Sequence, residues 1–217
     1  MDLFLDTADV KKIKELALTG LISGVTTNPT LLAQEGGDFK KALREICAII
    51  EGPVSAEVIA LDYKDMMKEA KELLKIAPNI AVKVPLTMDG LRACHDLTGD
   101  EKMVNVTLCF SSAQALLASK SGATFVSPFV GRIDDIGYDG ISLIKEIEDV
   151  YKNDPDNITV ILAASIRHPR HVIEAAKAGA MCATIPPKIF EQLYKHPLTE
   201  KGIDQFVKDW AQLGQKI

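Results

Sequence analysis

Short apolar runs with strand-like composition recur along the whole chain, and amphipathic patterns fill the segments between them. The runs cover residues 2–6, 23–28, 54–59, 80–85, 103–108, 124–129, 159–165 and 181–186. In residues 62–76 the apolar side chains follow the i, i+3/4, i+7/8 spacing of a helix that buries one face. The same spacing is found in residues 39–50, 111–120 and 139–150. The pattern predicts eight strands that alternate with helices.

Alternating strands and helices predict a parallel sheet, and eight such units predict an α/β fold of the closed (β/α)8 type, a TIM barrel. The alternative is an open, doubly wound sheet, but no glycine-rich phosphate-binding fingerprint follows the first strand. No long linker or low-complexity segment interrupts the series, so we expect residues 1–217 to form a single barrel domain.

One more amphipathic segment, residues 199–217, follows the eighth unit. Its apolar residues recur at helical spacing and form one stripe; they are Ile203, Phe206, Val207, Trp210 and Leu213. The segment therefore predicts an additional C-terminal helix that the barrel does not need for closure. The stripe must be covered, either by the chain's own barrel or by a neighbouring subunit.

Composition argues against several classes of function. The chain has 217 residues, of which 47% are hydrophobic, and a net charge of -5. It lacks the basic surplus of a nucleic-acid-binding protein, and no apolar stretch approaches the roughly 18 residues of a membrane span. The first residues are acidic where a signal peptide would need a basic segment, which favours a cytoplasmic location.

The cysteines and histidines show no pattern typical of a metal site. The four cysteines are scattered and predict reduced core residues rather than disulfides or zinc ligands; they are Cys47, Cys94, Cys109 and Cys182. The four histidines, including His168 and His171 on either side of Pro169, form no recognisable metal motif, and we expect a surface role for them. No metal is predicted.

Polar residues occupy the same face of six predicted strands, mostly towards the carboxyl end. Alternate residues of a barrel strand face the interior and the surrounding helices. Lys83, for example, has the opposite parity to Val82 and Val84, and Leu108 is expected to face the helices. The inward set is Asp6, Thr26, Asn28, Glu57, Lys83, Asn105, Thr107, Ser127 and Phe129, and Ser165 falls near the end of the seventh run. A single inward polar residue is commonly satisfied by hydrogen bonds alone. Six strands that all place one at the face where barrel active sites are built predict a site.

Lys83 indicates the chemistry of this site. Desolvation disfavours the charged form of an amine, and a neutral amine is a nucleophile that condenses with a carbonyl to form a Schiff base. The protonated imine withdraws electrons and stabilises an adjacent carbanion, so that C–C bonds are cleaved or formed. Asp6 and Glu57 are suited to general acid or base catalysis. The alternative role for Lys83 is an ion pair with one of these carboxylates.

Five motifs in order resemble those of transaldolases. They are GVTTNPT (24–30), VKVP (82–85), NVTLCFS (105–111), SPFVGRIDD (127–135) and LAASIR (162–167). The length is similar to that of the short, single-barrel subfamily that also contains fructose-6-phosphate aldolases. The resemblance implies transfer of a dihydroxyacetone unit from sedoheptulose 7-phosphate to glyceraldehyde 3-phosphate, giving erythrose 4-phosphate and fructose 6-phosphate. It also implies that no cofactor is needed, and that the chain forms homo-oligomers, either pentameric rings or decamers.

The resemblance assigns a role to each site residue. Lys83 is the Schiff-base lysine, Asp6 the acid/base, and Glu57 with Thr107 holds the water that shuttles protons. The substrate-binding set is Thr26, Asn28, Asn105, Ser127, Phe129, Arg132, Ser165 and Arg167. In this set Asn28, Asn105 and Ser127 bind the dihydroxyacetone hydroxyls. Arg132, Ser165 and Arg167 grip the phosphate, a role that suits guanidinium groups.

Three interpretations of the function remain open at this level. Transaldolases carry Glu and Phe at the positions of Glu57 and Phe129, whereas the similar aldolases carry Gln and Tyr, so the resemblance favours a transaldolase over an aldolase that releases dihydroxyacetone. A barrel that only binds sugar phosphates would need the arginines but not Lys83. For Arg132 the alternative role is an ion pair with Asp134 or Asp135.

Overall fold

Eight parallel strands close into a barrel in which each strand pairs with the next and β8 pairs with β1. The structure is a computed structural model and describes residues 1–215. The strands are β1 (Asp2–Asp6), β2 (Ile22–Thr26), β3 (Val54–Glu57), β4 (Ile80–Pro85), β5 (Val104–Cys109), β6 (Phe125–Pro128), β7 (Val160–Ala163) and β8 (Cys182–Ile185). The predicted (β/α)8 barrel is confirmed, and the open sheet is excluded by closure.

Helices connect the strands and surround the barrel. They are α1 (Val10–Ala17), α2 (Pro29–Glu35), α3 (Phe39–Ile49), α4 (Tyr63–Leu74), α5 (Met88–Gly99), α6 (Ser112–Lys120), α7 (Val130–Asp134), α8 (Gly140–Tyr151), α9 (Pro169–Ala178), α10 (Pro187–Tyr194) and α11 (Pro197–Leu213). Most begin after a side chain that accepts a hydrogen bond from a backbone N–H of the first turn. These capping residues are Asp9, Asn28, Asp38, Asp62, Thr87, Ser111, Asp139, His168 and His196.

Five strands end earlier than the apolar runs predict, and three of them leave a predicted site residue beyond the strand. β2 ends at Thr26, β6 at Pro128 and β7 at Ala163. As a result Asn28, Phe129 and Ser165 lie just beyond the strands. Asn28 caps α2, and Phe129 precedes α7 while pairing with Ala164 in an isolated bridge. The runs were too long because capping and turn geometry, rather than hydrophobicity, ends each strand.

The barrel interior has an apolar floor below its polar upper half. Phe4, Phe125, Leu162 and Cys182 form a separate buried cluster in which the two phenyl rings meet edge to face at 5.8 Å. A Cβ at Gly24 would lie 2.6 Å from the Phe4 ring, so glycine is needed there for the ring to fill the interior. The larger core lies between the strands and the helices. The polar side chains therefore rest on a packed base.

Helix α11 contributes nothing to either core. None of its described residues is buried, and Phe206 and Val207 are 74% and 63% exposed. The predicted C-terminal helix is confirmed, although it begins two residues before residue 199, and the last two residues of the predicted segment 199–217 lie outside the described part. Within residues 1–215, no helix combines the length and apolar character needed to cross a membrane.

Candidate active site

A cavity of about 160 Å³ opens at the carboxyl ends of the strands. It is lined by Asp6, Thr26, Asn28, Lys83, Thr107, Ser127, Phe129, Arg132, Ala164, Ser165, Arg167 and Thr184. The structure thus brings together every predicted site residue except Glu57 and Asn105. The carboxyl ends of all parallel strands meet at one face, which is why residues distant in sequence converge there.

Glu57 lines an adjoining cavity of about 320 Å³, which Lys83 also borders. This outer cavity shares Asn28, Lys83, Thr107, Phe129 and Arg132 with the inner one. Lys83 therefore faces both cavities, with Asp6 lining the inner one and Glu57 the outer one. The two carboxylates thus border different cavities, although they are close enough for the Glu57 charge to contribute to the raised pKa of Asp6.

Lys83 is buried, with 6% of its surface exposed, and its charge is matched by a close partner. Its Nζ lies 2.9 Å from Glu57 Oε2 and donates to the carbonyl oxygen of Thr27 at 3.3 Å. The register of the β3–β4 pairing places Glu57 directly beside Lys83. The ion pair offered as an alternative role does form. It also holds the amine at the point where the two cavities meet.

Asp6 is the second carboxylate of the site. Burial raises the pKa of Asp6 above its ordinary value, while the nearby Lys83 ammonium and the Thr26 hydroxyl oppose the rise. Thr26 donates to Asp6 Oδ1 at 2.9 Å, and Thr184 Oγ1 lies 2.6 Å from Thr26 Oγ1. Thr184 must then donate to Thr26, so a chain of two hydroxyls fixes the carboxylate. A carboxyl with a raised pKa is a stronger base than an ordinary aspartate, which suits it to general acid or base catalysis.

Asn105 does not line either cavity, because it is fully buried beneath the inner one. Its Oδ1 accepts from Ser127 Oγ at 2.7 Å, and its Nδ2 donates to Ser55 Oγ at 3.1 Å. Both ends of the amide are therefore held by buried hydroxyls. The arrangement orients Asn105 and the Ser127 hydroxyl, which faces the inner cavity.

Thr107 Oγ1 is the buried side-chain oxygen without a hydrogen-bond partner in the described part of the chain. An unpaired buried hydroxyl is costly, so its position between the two cavities indicates a contact with a water or a substrate. In the register of β4 and β5, Lys83 pairs with Asn105 and Pro85 pairs with Thr107, so Thr107 lies one inward position beyond Lys83 towards the carboxyl end.

The expected orientation of Leu108 is wrong. A register shift between Val106 and Cys109 interrupts the β5–β6 pairing, and Leu108 has a positive φ of 60°. The irregularity turns Leu108 away from the helices and into the outer cavity, where it is 37% exposed. Cys109 takes its place in the core between the strands and the helices. Alternation along a strand predicts side-chain direction only where the pairing is regular.

The arginines lie at the opposite end of the inner cavity from the floor. Arg132 is exposed on the short helix α7, and Arg167 is exposed in the loop after β7. Among the described residues Arg132 forms no ion pair, and it is Arg167 that pairs with Asp135, at 2.9 Å between Nη2 and Oδ2. A Cβ at Gly131 would lie 2.3 Å from the Ser165 carbonyl oxygen, so α7 approaches the loop closely because residue 131 is glycine.

His171 is not a surface residue, which corrects the expectation from the sequence. It is 5% exposed, and its Nε2 lies 2.9 Å from Asp134 Oδ2, whereas His168 is exposed and caps α9. The helix α9 turns His171 towards α7, and only the packing of these two helices reveals it. Among residues 1–215 no group of three or more His, Cys, Asp or Glu side chains is arranged to hold a metal ion.

Sequence reasoning missed two polar residues of the interior, Ser55 and Thr184. Ser55 holds the Asn105 amide, and Thr184 lines the inner cavity and contacts Thr26. The signal was available, because Ser55 shares the inward parity of Glu57, two residues away. Small hydroxyl residues next to the strand centre were not distinguished from ordinary strand residues.

Comparison with known proteins identifies the family and agrees with the fold. The family described as Transaldolase/Fructose-6-phosphate aldolase matches residues 3–217. Proteins named "Probable transaldolase" from Sphingopyxis alaskensis, Chelativorans sp. and Parvibaculum lavamentivorans are 62%, 60% and 59% identical over 217 residues, covering 100% of both chains. A solved thiamine phosphate pyrophosphorylase from Pyrococcus furiosus superposes with a TM-score of 0.61 at 14% identity, covering 88% of this chain and 93% of that chain; this likeness concerns the fold alone.

Fold and site together define a (β/α)8 barrel with a buried lysine and two carboxylates at its carboxyl-terminal face. The chain belongs to the transaldolase/fructose-6-phosphate aldolase family. It is therefore an enzyme of the transaldolase and aldolase type, and family membership implies sugar phosphates as substrates.

Proposed function

We propose that the protein is a transaldolase that moves a dihydroxyacetone unit from sedoheptulose 7-phosphate to glyceraldehyde 3-phosphate through a Schiff base on Lys83. The products are erythrose 4-phosphate and fructose 6-phosphate. The observation that carries the proposal is the buried Lys83 amine, which contacts Glu57 at 2.9 Å and lines the same cavity as Asp6.

Imine formation needs a group that moves protons at the Lys83 nitrogen. The amine attacks the substrate ketone to give a carbinolamine, which loses water to form the iminium ion. Glu57 Oε2 is in hydrogen-bond reach of Nζ, and the unpaired Thr107 Oγ1 borders the same outer cavity. We assign to this pair the water that carries protons during addition and dehydration.

Cleavage of the C–C bond is assigned to Asp6, on the inner side of Lys83. The carboxylate takes the proton of the hydroxyl next to the bond that breaks, and the bonding electron pair moves towards the iminium ion to give an enamine. The raised pKa of Asp6 makes its carboxylate a stronger base than an ordinary aspartate, and the carboxylic acid then returns the proton to the acceptor aldehyde when the new bond forms.

Binding of the two ends of the sugar phosphate follows from the cavity lining. Asn28 and Ser127 border the inner cavity and suit the hydroxyls of dihydroxyacetone, while Asn105 acts from beneath by orienting Ser127. Arg132, Ser165 and Arg167 border the same cavity at its exposed end and suit the phosphate.

Transfer requires that the enamine is retained until an aldehyde arrives. Phe129 lines both cavities beside Lys83 and presents a ring, not a hydroxyl that would position water for imine hydrolysis. Phe110 packs against that ring edge to face at 5.6 Å. We therefore favour transfer over aldol release of dihydroxyacetone.

Borohydride added with fructose 6-phosphate tests the proposal, because it reduces the iminium ion to a stable amine. We expect one sugar adduct, located on Lys83 by peptide mass spectrometry. An adduct on another lysine would move the assignment. The absence of any adduct would favour a barrel that only binds sugar phosphates.

We further propose that α11 packs on a neighbouring subunit in a pentamer or decamer. The proposal rests on its wholly exposed apolar stripe, which includes Phe206 and Trp210. Deleting residues 200–217 should break the assembly into smaller species and lower its thermal stability. Light scattering of the full-length protein decides the matter, since a monomer of 23.6 kDa at micromolar concentration would contradict subunit packing.

The cellular setting is part of the same proposal. The four cysteines are free thiols, and a reducing compartment suits them, which favours the cytoplasm. Interconversion of these sugar phosphates places the enzyme in the pentose phosphate pathway.

A further inference from the structure

The histidine that the reaction scheme leaves unused, His171, lies at the junction of the two elements that carry the phosphate-gripping arginines. Its Nε2 is 2.9 Å from Asp134 Oδ2, at the end of α7, the helix that also bears Arg132. Its Nδ1 accepts from the backbone N–H of Arg167 at 3.3 Å. One imidazole thus bridges α7 and the loop after β7.

This bridge operates in only one form of the ring. An Nδ1 that accepts a hydrogen bond carries no proton, so the ring proton is on Nε2, where it is donated to Asp134. Protonation would place a second proton on Nδ1, facing the Arg167 N–H, and would remove that hydrogen bond. The neutral Nε2–H tautomer is the only one that holds both elements.

The bridge belongs to a denser set of contacts between the two elements. The backbone N–H of Gly131 donates to the Ser165 carbonyl oxygen, and Asp134 Oδ1 accepts from the N–H of Gly140, which ties the end of α7 to α8. Arg167 pairs with Asp135 at the surface, where solvent weakens the interaction. His171 adds a buried side chain to this set: it is 5% exposed, and its contacts with Asp134 and Arg167 are partly buried.

We propose that His171 is a positioning residue that fixes the spacing of Arg132 and Arg167 for the phosphate of the substrate, and that it does so only when neutral. The inference rests on the proposed function, because it concerns the phosphate end of the same cavity. His171 itself touches neither cavity, so its effect on the ligand is indirect.

The charged groups around the ring favour the neutral form. Those that face it from the three adjoining elements and from its own helix are Asp134, Asp139, Arg167, His168, Arg170 and Glu174. Burial lowers the pKa of His171 below the ordinary histidine value, and His168 lowers it further, while Asp134 and Glu174 oppose the shift. Hence the bridge is intact at neutral pH and opens as the pH falls through this lowered value.

Two substitutions separate the two hydrogen bonds. His171→Gln places an amide N–H near Nε2 and keeps the link to Asp134, whereas His171→Asn places an oxygen near Nδ1 and keeps the link to Arg167. Each variant loses one link, so each should weaken binding of fructose 6-phosphate about tenfold. Affinity for unphosphorylated dihydroxyacetone and fructose should change by less than about twofold, which is the size of effect expected for a neutral surface substitution. Titration calorimetry measures both, and steady-state kinetics should show a raised KM with an almost unchanged kcat.

His168→Asn is the matched control, because asparagine can still cap α9 by accepting from the His171 N–H, as His168 Nδ1 does now at 3.2 Å. It should leave the affinity for fructose 6-phosphate at pH 8 unchanged. It also removes the charge that, after burial, contributes most to lowering the pKa of His171, so the acid-side loss of affinity should begin at a higher pH. The phosphate monoester of the ligand also titrates, at about pH 6. Because that titration is the same for both proteins, a difference between the profiles of the variant and the wild type must come from the protein.

The outcomes divide cleanly. Equal losses for phosphorylated and unphosphorylated ligands, or a His168→Asn profile that coincides with the wild type, would overturn the positioning role. If the glutamine and asparagine variants do not fold, the His168→Asn profile decides alone. Borohydride trapping on wild-type Lys83 tests the proposed function separately. If trapping occurs and the His171 variants keep their phosphate selectivity, only the positioning role of His171 is refuted. If the variants lose phosphate selectivity and no trapping occurs, the positioning role is supported and the Schiff base is refuted.

Discussion

The two ends of the cavity are built differently. At the end that holds Lys83, the side chains belong to the strands, mostly near their carboxyl ends, and are largely buried, with Asn105 and Ser127 only 0% and 2% exposed. At the end proposed to bind the phosphate, Arg132 and Arg167 are exposed on a five-residue helix and in a loop. Strand backbones position the first group, whereas the second depends on contacts between α7 and the loop after β7.

The difference follows from what each end must do. The amine and its carboxylates act more strongly where water is scarce, and rigid strands keep them in place. In the proposed function the phosphate is charged and enters from solvent, so its partners must remain accessible. We therefore expect changes at the buried end to reduce kcat, and changes at the exposed end to raise KM for phosphorylated substrates only.

The largest effect is expected for Lys83→Met. Methionine has a similar length and no charge, so the barrel should fold while the reaction is abolished, because no other amine lines the inner cavity among the described residues. Circular dichroism should be unchanged, and borohydride should leave no adduct. Lys83→Arg keeps a charge beside Glu57 and serves as the control that separates charge from nucleophilicity. Residual transfer in either variant would contradict the role of Lys83.

Asp6→Asn should lower the rate of transfer by about 10²–10⁴, the range of one general acid or base. The same change should stabilise the fold at neutral pH. The pKa of Asp6 is raised in the folded state, so the folded protein holds a proton that the unfolded chain releases, and stability falls as the pH rises above about 4.

Asparagine removes this cost and keeps an oxygen for the Thr26 hydroxyl. At pH 8 the melting temperature of the Asp6→Asn variant should exceed that of the wild type by roughly a few degrees. The difference should disappear towards about pH 4. A variant less stable than the wild type at pH 8 would mean that the Lys83 charge outweighs burial.

Arg132→Ala tests the exposed end. Loss of a charge-assisted contact of about 1.5–3 kcal/mol should raise KM for phosphorylated substrates roughly 10- to 100-fold and leave kcat nearly unchanged. Unphosphorylated analogues should be almost unaffected. Arg170→Ala, which removes an arginine paired with Glu174 outside both cavities, is the matched control. Equal losses for both substrate types would remove Arg132 from the phosphate site.

The smallest effect is expected for Phe129→Tyr, at the boundary of the two ends. The added hydroxyl lies near the imine and should position water, which increases release of free dihydroxyacetone relative to transfer severalfold at most. Coupled assays that measure dihydroxyacetone and erythrose 4-phosphate in parallel give the ratio. An unchanged ratio would exclude Phe129 as the determinant of transfer.

The sequence predicted the buried end better than the exposed end. Period-two alternation along the strands identifies Lys83, Asp6 and Thr107 as inward residues, because a barrel gives each alternate residue no other place to point. The same rule failed at Leu108, where an irregular pairing turns the side chain away from the helices and into the outer cavity. It could not detect His171, whose burial depends on how α9 packs against α7.

By itself the sequence determined the barrel, the helices and the convergence of polar residues on one face, since these depend on local periodicity and on the parallel arrangement that it imposes. Only the tertiary structure decided that Asp6 and Glu57 border different cavities, that Asn105 lies beneath the site, and that one neutral imidazole joins the two arginine-bearing elements. These features depend on distances between segments far apart in the chain, which are fixed by packing and not by the order of residues within any one segment.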